Sequence, residues 1–122
     1  MAKSTRSAAL LAGLLLGAGA AHFARPGQFD AIVPRALPGE PRAWTYASGV
    51  AELALGAAVA VPRTRRLGAL AAAGFFVAVF PANAKMAYDW RHRPTPQRVT
   101  ALARLPLQVP LVLWALRVRR AA

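Results

Sequence analysis

The stretch 50-VAELALGAAV-59 decides how the chain is read: nine of its ten residues are apolar or small, and the tenth, Glu52, is a carboxylic acid. A run of this kind belongs to a helix with no polar outer face, as in a protein core or a lipid bilayer. It is part of one of four such blocks, Ser7–Ala24, Ala43–Val61, Leu67–Tyr88 and Val99–Leu116. Each is roughly 18 to 22 residues long, which at about 1.5 Å rise per residue matches the ~30 Å hydrocarbon core of a bilayer. The hydrophobic share is 57% and the mean hydropathy +0.35, with the apolar residues in blocks rather than interleaved with charge. A soluble domain would interleave them at a period of 2 or 3.6. The expected fold class is therefore all-α: an integral membrane four-helix bundle forming one domain over residues 1–122, with spans at about 7–24, 43–61, 67–88 and 99–116. A buried soluble bundle is the alternative, and it would leave almost no polar outer face on any helix.

The formal net charge is +12. Basic patches neutralise nucleic-acid phosphates, but here the arginines sit between and beside the apolar blocks, where they meet lipid headgroups. The lipid bilayer and its anionic lipids are the expected partners, and no nucleic acid is. There is no cysteine, so this chain supplies neither disulfides nor thiol redox chemistry, and its two histidines make no zinc pattern. The N-terminal Met-Ala-Lys-Ser-Thr-Arg, followed by an apolar run and 18-AGA-20, also reads as a secretory signal. Retention as a first span is favoured, because the run continues to Ala24 and ends in polar and aromatic residues.

The tight link 62-PRTRR-66 makes the second and third helices antiparallel neighbours. The longer 25-RPGQFDAIVPRALPGEPR-42 carries Phe29, Ile32, Val33 and Leu37 at near-helical spacing, which predicts a short interfacial helix over Gly27–Val33, with Pro26 before it and Pro34 closing it. Lys and Arg are balanced, eight on each side of the four-span arrangement. Lys3 and Arg6 before the first helix, with Lys85 and Arg104 read as lying inside spans, place both termini in the cytoplasm and this first loop outside. Trp44, Tyr46, Tyr88, Trp90 and Phe23 all fall on one membrane face as an interfacial belt, with Trp114 marking the other.

Depth from that aromatic face gathers the polar residues. His22 ends the first span, and Glu52 lies about 13 Å into the second. Asn83 is roughly 8 Å from the end of the third, while Arg104 and Gln108 lie about 8 and 13 Å into the fourth, on one face at i, i+4. Four helices thus contribute one cluster to one half of the membrane. A lone charge at a span centre costs about 2.5–3.5 kcal/mol on insertion scales. Arg104 is the expected partner of Glu52, since a guanidinium holds a carboxylate through two parallel hydrogen bonds. Ser48 and Gly56 share the face of Glu52, a small polar stripe suited to close helix approach. Pro81, Pro106 and Pro110 each free a backbone carbonyl that Asn83, Gln108 or water can satisfy. The pair is open to two readings, a clasp that fixes helix order or part of a functional site. The same holds for His22 as an interfacial or functional histidine, and for Asn83 and Gln108 as interhelical glue or ligands. Gly13 and Gly17 form a GxxxG that faces away from His22 and is expected to pack a neighbour.

The strings 22-HFARPGQFDAIVPRALP-38, 49-GVAELALG-56, 62-PRTRR-66, 80-FPANAKMA-87 and 104-RLPLQVPLVLWA-115 together resemble small DoxX-like membrane proteins of bacteria, in order and over nearly the whole chain. The resemblance implies a four-helix protein of the bacterial cytoplasmic (inner) membrane with both termini inside. His22, Glu52, Asn83, Arg104 and Gln108 fall within these strings, though no catalytic role travels with them. Some DoxX relatives are subunits of thiosulfate:quinone oxidoreductase and others associate with redox partners in oxidative-stress defence. The Ala-, Arg-, Gly- and Pro-rich composition fits a GC-rich bacterial genome.

Three functions follow as expectations. The first is a non-catalytic membrane subunit, not an enzyme on its own, that organises a redox or oxidative-stress partner; the small size and tiny soluble loops favour it. The second is a quinone- or lipid-binding oxidoreductase subunit, with quinone as its cofactor and the polar cluster holding the headgroup. The third, transport of a small anion or proton, requires homo-oligomerisation of four short helices without visible repeats.

Overall fold

In the computed structural model, which describes residues 2–31, 33 and 37–122, the chain is helical throughout, with no strand among the described residues. The elements are α1 (Ala2–Ala24), α2 (Pro26–Asp30), α3 (Pro41–Ala60), α4 (Arg65–Ala78), α5 (Phe80–Asp89) and α6 (Thr95–Ala121). Three segments are long and apolar enough to cross a membrane: Thr5–Ala24, Arg65–Asp89 and Arg98–Ala121. The 20 residues of α3 are long enough too, at about 1.5 Å each, but Trp44, Thr45, Tyr46, Ser48 and Glu52 lower its apolarity.

Prolines set the helix ends. Pro41 follows an extended Glu40 and occupies the first turn of α3, where its missing N–H costs nothing. At the other end Val61 is extended (φ −86°, ψ 122°), as the residue before Pro62 must be. The carbonyls left open there are taken up by the link itself. Thr64 Oγ1 donates to the Ala58 carbonyl at 2.7 Å, Arg65 Nε to Val59 at 2.8 Å and Arg65 Nη2 to Ala60 at 3.0 Å. A cation at a helix C-terminus also complements the dipole.

Two expected elements differ from the structure. The third apolar block is interrupted at Val79, giving α4 and α5 in place of one helix over 67–88. Pro81 has no N–H for the Val77 carbonyl and its ring crowds that turn, so the break lies one turn ahead of it. The two prolines of α6, Pro106 and Pro110, are by contrast carried inside a continuous helix of 27 residues. The first-loop helix forms but is shorter than Gly27–Val33: Pro26 is its first residue rather than its flank, and it ends at Asp30. Ile32 and Pro34, part of that expectation, and Arg35 lie outside the described residues.

The long helices pack in the order α1–α3–α4–α6, with α6 returning more thinly to α1. Trp114 Nε1 closes this last seam by donating to Ser7 Oγ at 2.8 Å, so its indole points to α1 as well as marking a level. The core occupies the half nearest the termini and the α3–α4 link. It is built from Ala8, Leu11, Ala12 and Leu15 of α1, Val59 of α3, Ala69, Ala72, Ala73 and Phe76 of α4, and Ala115 and Val118 of α6. So many alanines let backbones approach closely. Gly13 and Gly17 have nothing within 4 Å of where a Cβ would sit, so the GxxxG packs no neighbour among the described residues. The close α1–α3 approach uses Gly19, Gly49 and Gly56, the last of these on the small stripe expected to suit close approach. A Cβ on Gly49 would lie 2.9 Å from the His22 Cβ, and one on Gly56 2.7 Å from Leu16 Cγ.

Candidate functional site

The half of the molecule opposite the alanine core is hollow. A cavity of about 490 Å³ is lined by residues of α1, α2, α3, α4, α5 and α6, with Leu15 and Phe76 shared with the apolar core. All five residues singled out from the sequence line it: His22, Glu52, Asn83, Arg104 and Gln108. Four of them are buried, at 7% exposure for His22, 8% for Glu52, 6% for Asn83 and 8% for Gln108. Arg104 is half-buried.

The ion pair is not the expected one. The basic group within 4 Å of Glu52 is His22, whose Nε2 lies 3.6 Å from Oε1, while Arg104 is paired with no carboxylate among the described residues. Helix order is the reason: α3 lies between α1 and α4, and α6 is diagonal to it across the cavity. Matching depths along two helices therefore did not bring their side chains together. His22 is held by its own helix, Nδ1 donating to the Ala18 carbonyl at 2.7 Å, and its ring stacks on Phe29 of α2 at 3.7 Å between centroids. A carbonyl only accepts, so Nδ1 carries a hydrogen.

The remaining polar wall comes from α6 and α5. Gln108 Oε1 is buried with no hydrogen-bond partner among the described residues. A buried acceptor left unpaired costs about 1–3 kcal/mol, and native interiors hold few of them. Asn83 sits on α5 just past the Val79 break, its backbone N–H donating to the Val79 carbonyl at 3.1 Å. No cluster of three His, Asp or Glu capable of holding a metal occurs among the described residues.

The first loop forms the roof. Phe29, Val33, Leu37 and Trp44 line the cavity from this side. The roof is pinned to α3 through Asp30, which accepts from Thr45 Oγ1 at 2.6 Å and from Arg42 Nε at 2.8 Å. These two hydrogen bonds, Thr45 first, hold the Asp30 carboxyl below its ordinary value, and the same contact raises Arg42. Trp44 Nε1 adds a hydrogen bond to the Pro38 carbonyl at 2.7 Å. Thr45, Asp30 and Phe29 were not among the residues picked from sequence. Thr45 was open to detection, since Thr45, Ser48 and Glu52 recur at i, i+3 and i+7 on one helix face; Phe29 was read only as part of the short interfacial helix, and Asp30 gave no local signal. Outside the roof, aromatic residues and cations share the same face, with Arg91 stacked 3.9 Å over Tyr88 and Arg93 4.4 Å over Trp90. Lys85 falls within the apolar segment Arg65–Asp89, is half-buried, and pairs with Asp89 at 2.8 Å.

Residues 11–119 match the family described as "Domain of unknown function (DUF8561)". The chain belongs to that family. No curated protein and no solved structure matches it.

Proposed function

We propose that the chain is a four-span membrane protein, with α1, α3, α4–α5 and α6 crossing the bilayer, whose cavity binds the polar head of a lipid-soluble small molecule. On this reading it is a non-catalytic membrane subunit and not an enzyme by itself. The observation that carries the proposal is the unpaired Gln108 Oε1 in a cavity of about 490 Å³ whose walls also present His22, Glu52, Asn83 and Arg104. Ligand pockets run about 300–1,000 Å³ and are apolar with a few convergent polar groups. Polar side chains inside a span face such cavities because lipid offers them nothing. The short connections leave little protein outside the membrane in which to build another site. A redox or oxidative-stress partner, placement in a bacterial inner membrane and cytoplasmic termini rest on the resemblance to DoxX-like proteins and on Lys3 and Arg6.

The test is purification from native membranes followed by mass spectrometry of the extracted small molecules. One lipophilic compound is expected in near-stoichiometric amount, depleted in Gln108→Leu and in Glu52→Gln. Its absence from well-folded wild-type protein would refute the ligand reading.

A quinone is the second reading, and the His22–Glu52 contact is what favours it. An imidazole nitrogen and a carboxyl oxygen 3.6 Å apart beside the cavity are the kind of groups with which a quinone headgroup exchanges protons on reduction. His22→Ala would then lose a bound quinone that Ser7→Ala retains.

A further inference from the structure

A second hollow adjoins the cavity. A groove of about 470 Å³ runs between α4–α5 and α6, walled by Phe80, Val109, Val112 and Leu113, and it shares Phe76 and Gln108 with the polar cavity. The groove exists because Pro81 breaks the α4–α5 line opposite α6. Apart from Gln108 its lining carries no polar side chain. Cavity and groove therefore make one bent space, polar at one end and apolar at the other, with Gln108 at the junction.

The titratable groups on the cavity wall are His22, Glu52 and Arg104. His22 and Glu52 face each other at 3.6 Å, and Asn83 and Gln108 are neutral. Arg104 is the cation on this wall with neither an ion pair nor a hydrogen bond to its guanidinium among the described residues. A guanidinium at depth in a span needs an anion, and its fork matches phosphate or carboxylate. Gln108 Oε1 in turn needs a donor.

We propose that cavity and groove together form a site for one acidic lipid, its anionic phosphodiester against Arg104, a head-group hydroxyl donating to Gln108, and one acyl chain in the groove. A soluble anion would leave the groove empty, an amphiphile with no anionic group would leave Arg104 unpaired, and a choline phospholipid would set a second cation beside Arg104 with no hydroxyl for Gln108. This inference rests on the ligand-cavity reading above and specifies its occupant.

The experiment is native mass spectrometry of purified full-length protein released from vesicles of equimolar phosphatidylglycerol and phosphatidylcholine with identical chains. One phosphatidylglycerol is expected to be retained in preference to phosphatidylcholine by about tenfold or more, because both carry the phosphodiester but choline adds a cation beside Arg104 and has no hydroxyl to donate to Gln108. High salt should not strip it. The exposed arginines also attract acidic lipid, but that attraction is screened. Arg104→Gln should abolish the preference and Arg104→Lys keep part of it. Val109→Trp, at a position 60% exposed on the groove wall, should lower retention of lipid without altering the charge. Equal retention of the two lipids, an unchanged preference in Arg104→Gln, loss in high salt, or no effect of Val109→Trp would each overturn the proposal. So would displacement of the lipid by glycerol phosphate at matched concentration, which would make the ligand a soluble anion. Preferred retention of phosphatidylcholine or of a quinone sinks the acidic lipid alone, whereas wild-type protein that retains nothing sinks the ligand cavity with it.

Discussion

His22 is fixed from two sides, by the Ala18 carbonyl at 2.7 Å and by the face of Phe29, which aims Nε2 at Glu52. Removing either partner leaves a buried polar group uncompensated, so single changes should destabilise by about 1–3 kcal/mol. In a double-mutant cycle, His22→Ala and Glu52→Gln should couple by about 1 kcal/mol or more, while Glu52→Gln and Arg104→Gln should add within roughly 0.5 kcal/mol. Thermal melts in one detergent read both cycles, and equal coupling in the two would place Arg104 against Glu52 after all. Asp30 gives a pH signature of opposite location, in the roof. Its carboxyl is lowered in the folded protein by Thr45 and Arg42. The stabilisation is therefore complete above the ordinary carboxylate value and is lost as pH falls through the lowered one. The wild-type melting temperature should drop over that acid window more than that of Asp30→Asn, which should be flat in comparison. Polar side chains at matching depth were legible in the sequence as a group. Which of them touch was not, because spacing along a helix gives height and face but leaves open which helix stands next to which.

The α1–α3 pair is the tightest contact between elements, and glycine makes it so. A Cβ on Gly49 would lie 2.7 Å from Phe23 Cε2, 2.9 Å from His22 Cβ and 3.3 Å from the Gly19 carbonyl oxygen, a backbone atom that cannot swing away. Gly49→Val should therefore cost about 1–3 kcal/mol by overpacking and push His22 off Glu52. Gly17→Val, with nothing within 4 Å of its Cβ position, should change stability by less than about 0.5 kcal/mol. Thermal stability of the two variants side by side checks the contrast; equal losses would mean that the face bearing Gly17 is covered in the membrane. The motif visible in the sequence, Gly13 and Gly17, is not the one that brings helices together. GxxxG reports only that two small residues share a face, whereas Gly19, Gly49 and Gly56 are small where a second helix crosses. The long apolar blocks, their order and the tight 62–66 link were legible because block length and Pro positions are local. The break at Val79 follows from the same local rule that α6 overrides at Pro106 and Pro110, so a proline in a helical run marks a possible break without deciding it.

For the molecule as a whole, the proposed four-span arrangement depends on whether α3 crosses a membrane. Its neighbours α1 and α4–α5 are apolar enough to cross, and α3 packs antiparallel to α1 along much of its length, from Gly49 near His22 to Gly56 near Ala12. A helix so enclosed cannot lie on the surface without α1 leaving the bilayer too. Its lower apolarity comes from Thr45, Ser48 and Glu52, all of which line the cavity and so are not offered to lipid. The hydropathy index sums every side chain, whichever way it faces, and so counts these three against a span. With no native cysteine in the chain, the question is open to direct measurement. Glu40→Cys stands at the start of α3 and Thr64→Cys in the link after it, both at exposed positions. An impermeant thiol reagent added to intact cells should label Glu40→Cys at once and Thr64→Cys only after the membrane is breached. Labelling of Thr64→Cys alone would keep α3 across the bilayer and invert the orientation, placing the cavity at the cytoplasmic face. Labelling of both from the same side would take α3 out of the membrane, and with it Glu52 from any lipid-facing pocket.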